Sequence, residues 1–168
     1  MSTLEKIPFL GDYVDGEFVR SKKPDGGWTV KSPANLKEEV LDVEYCYEHV
    51  DKACVAAKMA YKSWKKLSFD ERKNYLLRLK EVYLTHKDQI AQTVSRETGK
   101  PLWESLGEAQ AMINKIDITI NESMKLVETV QVANALPGID GFIRYKSRGV
   151  MSVIGPFNFP GHLPNGHF

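Results

Sequence analysis

Cysteine is nearly missing from this sequence: two residues in 168, Cys46 and Cys54, eight apart and forming no CxxC pair. A disulfide framework and a thiolate zinc site are therefore not expected, and a reducing, cytoplasmic setting is the default. Both cysteines read as small buried hydrophobes at the start of a helix. An excess of charge of one sign is missing too. With 23 basic and 22 acidic side chains the net charge is +1, which gives no electrostatic case for nucleic acid or an anionic membrane as partner. No apolar run approaches the roughly 20 residues needed to span a bilayer. Met1 to Leu10 has neither a basic leader nor an apolar stretch, so no secretion signal is expected. His162 and His167 are five apart, not the three or four that align ligands on one helix face, and no metal is expected. Thr98-Gly99-Lys100 lacks the upstream glycine of a phosphate-binding loop, and Lys100 reads as a solvated loop lysine.

What is present is an ordinary globular composition, 42% hydrophobic and 27% charged, patterned as an α/β chain. The first forty residues read as short extended pieces. Asp15-Gly16 between Tyr13-Val14 and Glu17-Phe18-Val19 signals a hairpin, and Pro24-Asp25-Gly26-Gly27 is a turn leading into an extended Trp28-Thr29-Val30. Three helices are then predicted. The first carries Val50, Ala53, Ala57, Ala60, Tyr61 and Trp64 at helical spacing. The second opens on a Ser68/Glu71 capping box, carries Leu76, Leu79, Tyr83, Ile90 and Val94, and stops at Gly99-Lys100-Pro101. The third runs from Leu102 through Leu106, Ala109, Ile113, Ile116, Ile120 and Met124 to Val127. These stripes are core.

The pattern changes at Pro137-Gly138. Phe142 to Lys146 alternates like a half-exposed strand. Val150 to Ile154 is almost uninterrupted apolar sequence between glycines, the pattern of a strand buried on both faces of a parallel sheet. The helix expected to follow such a strand would begin where the sequence ends, so the chain is expected to continue beyond Phe168. The expected division is residues 1–136 as an N-terminal hairpin and helical part, 137–148 as a strand of a bridging region, and 149–168 as the start of a Rossmann-like sheet.

Chemistry concentrates in Gly155-Pro156-Phe157-Asn158-Phe159-Pro160-Gly161. In open α/β sheets ligands sit beyond the carboxyl ends of strands, where this loop is expected. Pro156 and Pro160 fix φ on either side of Asn158. An amide held there is a neutral donor suited to a developing oxyanion. By residue pattern alone, a plain turn-capping role for Asn158 is the stronger alternative.

The segment Gly155-Pro-Phe-Asn-Phe-Pro160 resembles the PxNFP signature of the aldehyde dehydrogenase superfamily. Glu97-Thr-Gly-Lys-Pro101, followed by Glu104, resembles that superfamily's ETGKP segment. The order of elements also agrees over nearly the whole length. Gly161-His-Leu-Pro-Asn-Gly-His167 resembles a branch that oxidises a succinylated glutamate semialdehyde in arginine breakdown. The resemblance implies the incomplete N-terminal portion of such a fold: N-terminal hairpin, helices, returning strand and first buried strand of a cofactor domain. It implies oxidation of an aldehyde to a carboxylic acid through a cysteine thiohemiacetal, with hydride passing to NAD or NADP, NAD being favoured. Asn158 then matches the side-chain donor of the oxyanion hole. Ile154, Gly155, Pro156 and Phe157 match positions whose backbone lies along the nicotinamide ribose, and Phe159 matches an aromatic of the substrate tunnel wall. The nucleophilic cysteine, the general-base glutamate and the glycine-rich cofactor turn have no expected counterpart here, and the chain by itself is expected to be inactive. A small-molecule aldehyde and further copies of the chain are the expected partners. The alternative is a non-catalytic oligomerisation or interaction module built on the same N-terminal region.

Overall fold

A computed structural model describes residues 5–167. The Asp15-Gly16 signal is met: strands β1 (Asp12–Val14) and β2 (Glu17–Val19) pair antiparallel with Val14 opposite Glu17. The two turn residues have φ of 53° and 90°, the double left-handed conformation of the tight turn that Asp-Gly favours. Strand β3 (Gly26–Ser32) pairs with a strand that the sequence reading passed over, β4 (Asn35–Tyr45). Its Lys37, Glu38, Glu39, Asp42 and Glu44 obscure the alternation. Asp42 accepts from the Thr29 hydroxyl and the Lys6 ammonium, each at 2.7 Å, and Glu38 pairs with Arg96 at 2.7 Å.

Helix α1 (Tyr47–Trp64) follows. It is tied to β1 by Asp12, whose Oδ2 lies 2.7 Å from Nδ1 of the buried His49. Cys46, its N-cap residue, is buried as expected, whereas Cys54 is exposed. The predicted stripe is only partly covered, with Val50 and Trp64 exposed.

The second predicted helix is two. α2 (Phe69–Thr85) starts at the Ser68/Glu71 capping box, with Glu71 N–H donating to Ser68 Oγ and Ser68 N–H donating to Glu71 Oε2. The Ser68 N–H, together with the Ser68 hydroxyl donating to the same Oε2 at 2.9 Å, favours the ionised carboxyl and holds Glu71 below the usual carboxylate range. At His86, with φ −104° and ψ 13°, the direction changes and α3 (Lys87–Thr98) begins. No Gly or Pro marks that break in the sequence. α3 ends at Gly99, φ 75°, a conformation strained for any residue with a Cβ.

The third predicted helix also changes along its length. α4 (Leu102–Ile118) is regular, then Thr119–Ser123 widens into a π turn and Met124–Val127 tightens into a 3-10 turn. The widening follows the branched run Ile116, Ile118, Thr119, Ile120, which crowds an ordinary helical turn. α3 and α4 form the main core, and α2 lies against α4 with no fully buried residue of its own. Ala91 and Val94 of α3 are buried with Ala109, Met112, Ile113 and Ile116 of α4, and Lys80 of α2 reaches Asp117 at 2.7 Å.

Strands β5 (Val130–Leu136) and β6 (Ile139–Ile143) form a hairpin around Pro137-Gly138, Val130 opposite Ile143 and Leu136 opposite Ile139. The strand expected over 142–146 is thus displaced towards the turn, and its partner β5 had not been foreseen. The expected buried strand at Val150–Ile154 is absent: these residues form no regular element, and Val150, Met151 and Ile154 are exposed. A doubly buried strand needs parallel neighbours and covering helices. Among the described residues every sheet is a two-stranded antiparallel pair elsewhere, so the run has nothing to pair with. The chain closes on a one-turn helix, α5 (His162–Asn165).

Candidate functional site

The two segments singled out in the sequence meet on the α4 platform. Turning at Gly99 brings Lys100 back over α4, and the turn is tightened by Ser95, whose Oγ donates to the Lys100 carbonyl at 2.7 Å. A Cβ on Gly99 would stand 3.0 Å from the backbone nitrogen of Ala34, so the turn also packs against the β3–β4 connection. Lys100 is not the solvated lysine that its sequence setting suggested. Its side chain is 11% exposed and its Nζ lies 2.8 Å from Glu108 Oε2 and 3.7 Å from Glu104 Oε1. The same ammonium sits 3.8 Å from the centroid of the Phe159 ring, within the range of a cation–π contact.

Glu108 carries the connection further. Its side chain is 1% exposed, and Oε1 accepts the amides of Gly161 at 3.0 Å and His162 at 3.2 Å. A buried carboxylate is tolerated because each oxygen is partnered, one by a cation and the other by two N–H donors. Glu97, at the head of the same segment, has no such partner among the described residues, and burial pushes its carboxyl above the usual range.

Both ends of the Gly155–Gly161 loop approach their neighbours too closely for a larger residue. A Cβ on Gly155 would meet Pro164 Cγ at 2.9 Å, and one on Gly161 would meet Met112 Sδ at 2.6 Å. Beyond the loop, the buried Asn165 donates from Nδ2 to the Met112 carbonyl at 3.0 Å and accepts at Oδ1 from the Tyr83 hydroxyl at 2.9 Å. Burial raises the Tyr83 phenol above its ordinary value, which keeps it a donor. The loop is therefore fastened to α2 and α4 and points its middle outward. Asn158 is exposed, and Ile154 and Phe157 are 91% and 90% exposed. The amides of Ile154, Gly155 and Phe157 donate to no acceptor among the described residues.

Of the six residues singled out by sequence, the structure places Ile154 to Phe159 consecutively along this loop, with Phe159 turned inward onto Lys100. Sequence reasoning missed Glu108, Tyr83 as a hydrogen-bond donor, and Asn165. One signal for Glu108 was available: Glu104 and Glu108 are four apart and so share one face of α4, the face nearest the Lys100 that precedes the helix. Among the described residues no group of three His, Cys, Asp or Glu could hold a metal ion, and no helix is long and apolar enough to cross a membrane.

Known proteins resemble this chain over nearly its whole length. Residues 18–168 match the profile described as "Aldehyde dehydrogenase family". The chain is 46% identical over 158 residues to N-succinylglutamate 5-semialdehyde dehydrogenase of Vibrio cholerae serotype O1, covering 92% of this chain and 31% of that protein. It is 34% identical over 174 residues to the enzyme of the same name from Legionella pneumophila (strain Paris), covering 99% and 33%. The chain thus spans about a third of the length of the curated relatives it matches. The solved structure of methylmalonate-semialdehyde dehydrogenase from Oceanimonas doudoroffii superposes with TM-score 0.83 at 26% identity, over 95% of this chain and 32% of that one. The glyceraldehyde-3-phosphate dehydrogenase of Bacillus halodurans C-125, solved with NADP, gives 0.78 at 25%, over 90% and 33%. A structure from Sinorhizobium meliloti 1021 solved with NAD gives 0.78 at 24%, over 91% and 31%.

Proposed function

Because the chain belongs to the aldehyde dehydrogenase family, we propose that its Ile154–Phe159 loop serves the NAD(P)-dependent oxidation of an aldehyde to a carboxylic acid. The observation that carries this reading is the loop itself. It is fastened at Gly155 and Gly161 and presents the Asn158 side chain to solvent between two prolines. In this reading the Asn158 amide donates to the carbonyl oxygen as negative charge develops on it. Phe159, with one face on Lys100, forms part of the wall beside the aldehyde. The free amides of Ile154, Gly155 and Phe157, and the missing side chain at Gly155, fit close approach of the nicotinamide ribose. Bound NAD(P) supplies the hydride acceptor.

N-Succinylglutamate 5-semialdehyde, named in both curated relatives, is the proposed aldehyde. The proposal extends to a role in arginine catabolism, a cytoplasmic setting, and NAD in preference to NADP. The nucleophile and the base are assigned to residues outside these 168. Cys46 is buried at the cap of α1 and Cys54 lies on that helix, so neither belongs to the loop.

The test is Asn158→Ala in the complete enzyme, assayed with NAD and N-succinylglutamate 5-semialdehyde. The expected loss in kcat is about 10²–10³, the usual effect of removing one oxyanion donor. The KM for NAD should stay nearly constant, and the 168-residue chain alone should show no turnover. A fall in kcat of less than about threefold, roughly 0.7 kcal/mol, would make Asn158 a turn residue only.

A second reading is favoured by one observation, the exposure of apolar side chains on both strands of the β5–β6 hairpin. An interaction module of non-catalytic kind would use that face, and in the enzyme the same face would join copies of the chain into a homo-oligomer.

A further inference from the structure

We propose that Glu108 is a positioning residue for the candidate loop, its carboxylate setting where the Asn158 amide is held. The inference rests on the role proposed above for Asn158.

The path from Glu108 to Asn158 is short and stiff. Oε1 holds the amides of Gly161 and His162 at 3.0 and 3.2 Å. Between Gly161 and Asn158 stand only Pro160, whose φ is fixed by its ring, and Phe159, whose ring is held by Lys100 at 3.8 Å. The other oxygen of Glu108 takes the Lys100 ammonium at 2.8 Å. Lys100 thus touches both the loop's aromatic and the loop's anchor. At the far end the loop is set by the close approach of Gly155 to Pro164, and Pro156 fixes a second φ. The unanchored residues are few, so a shift at Glu108 passes to Asn158 instead of dissipating along the chain. An oxyanion donor works only within a few tenths of an ångström of its target, so the anchor acts on the chemical step and not on cofactor binding.

Glu108→Ala would leave Lys100 buried without its main counter-charge and could unfold the chain. The comparison therefore uses two neutralised pairs in the complete enzyme. Lys100→Met with Glu108→Gln keeps an acceptor for the two amides. Lys100→Met with Glu108→Met has none, at nearly the same side-chain length. With NAD and N-succinylglutamate 5-semialdehyde, the Met variant should have a kcat lower than the Gln variant by about 10–100-fold, the scale of a misplacement near 1 Å. The KM for NAD should agree within about threefold. In an Asn158→Ala background the same Gln-to-Met exchange should change kcat by less than about threefold, because the effect runs through Asn158. Equal kcat in the two variants, or the full difference persisting without Asn158, overturns the proposal.

Hydrogen exchange at the Gly161 and His162 amides separates this proposal from the reading it rests on. If Asn158→Ala alone leaves kcat unchanged, the oxyanion reading fails and exchange decides the rest. Faster exchange in the Met variant than in the Gln variant sustains Glu108 as the loop's anchor, and equal exchange removes it.

Discussion

The α3–α4 pair and the β5–β6 hairpin are both rich in apolar residues, yet they hold together in different ways. In the helices the apolar side chains face one another: Ala91, Val94, Ala109, Met112, Ile113 and Ile116 are all buried. In the hairpin no residue of β5 is buried, and Val132 and Leu136 are 43% and 61% exposed. The hairpin is held by backbone pairing, the Pro137-Gly138 turn, and Asp140, which accepts from the Asn134 amide and the Gln131 side chain, each at 2.9 Å. An isolated two-stranded hairpin is marginal in water. The difference teaches that apolar content alone does not locate the core. What decides is whether a second surface exists in the same chain to receive it.

Three substitutions bear on that contrast. Ile113→Ala in α4 should have the largest effect, destabilising the helical part by about 2–5 kcal/mol, read as a lower midpoint in urea denaturation. A loss below about 1 kcal/mol would mean that the site already yields and is no core.

Ser68→Ala, at the start of α2, tests a helix end instead of a packed face. Loss of the N-cap should cost about 1 kcal/mol. The same cap should also respond to acid. Glu71 is held below its ordinary range in the folded chain, so its contribution is complete above the unfolded-state value and is lost as pH falls through the folded-state value. Ser68→Ala should therefore cost less at low pH than at neutrality. A pH-independent cost would show that the Glu71 bonds add nothing.

Ile143→Ser, opposite Val130 on the apolar face of the hairpin, should change stability least, by under about 0.5 kcal/mol, because its side chain is already half in water. Its effect should instead appear in self-association. Light scattering over a tenfold concentration range should show larger species for the parent chain than for the variant, since contiguous exposed apolar faces mark association sites. A parent chain that stays at 19.0 kDa throughout would contradict the comparison.

Much of this was legible from residues. The Asp15-Gly16 hairpin and the Ser68/Glu71 cap are local signals whose physics is complete within four residues, and both formed as read. The break at His86 has no local marker, and two helices were read as one. β5 was overlooked although Val130 and Val132 alternate around Gln131. Val150–Ile154 was read as a buried strand from its composition, but burial depends on neighbours that composition does not supply. At the candidate site the two motifs were visible as separate segments. Their meeting was not, because Lys100 and Phe159 are separated in sequence by α4 and the β5–β6 hairpin and meet only through the tertiary fold. Glu108 sits beside Ala109 of the stripe, and the acceptor role of its carboxylate depends on residues 53 and 54 positions away.

The contacts that dock the loop span 53 and 54 residues from Glu108 and 82 from Tyr83, whereas the turns of α2, α3 and α4 close locally. Closing a loop of that length costs about 3.5 kcal/mol before any contact rewards it, so the helices are expected to assemble first in folding and the Gly155–Asn165 segment to settle onto them last. Interactions made so late have little weight in the transition state. Weakening the Glu108 anchor would then leave the refolding rate nearly unchanged and shorten the lifetime of the docked loop.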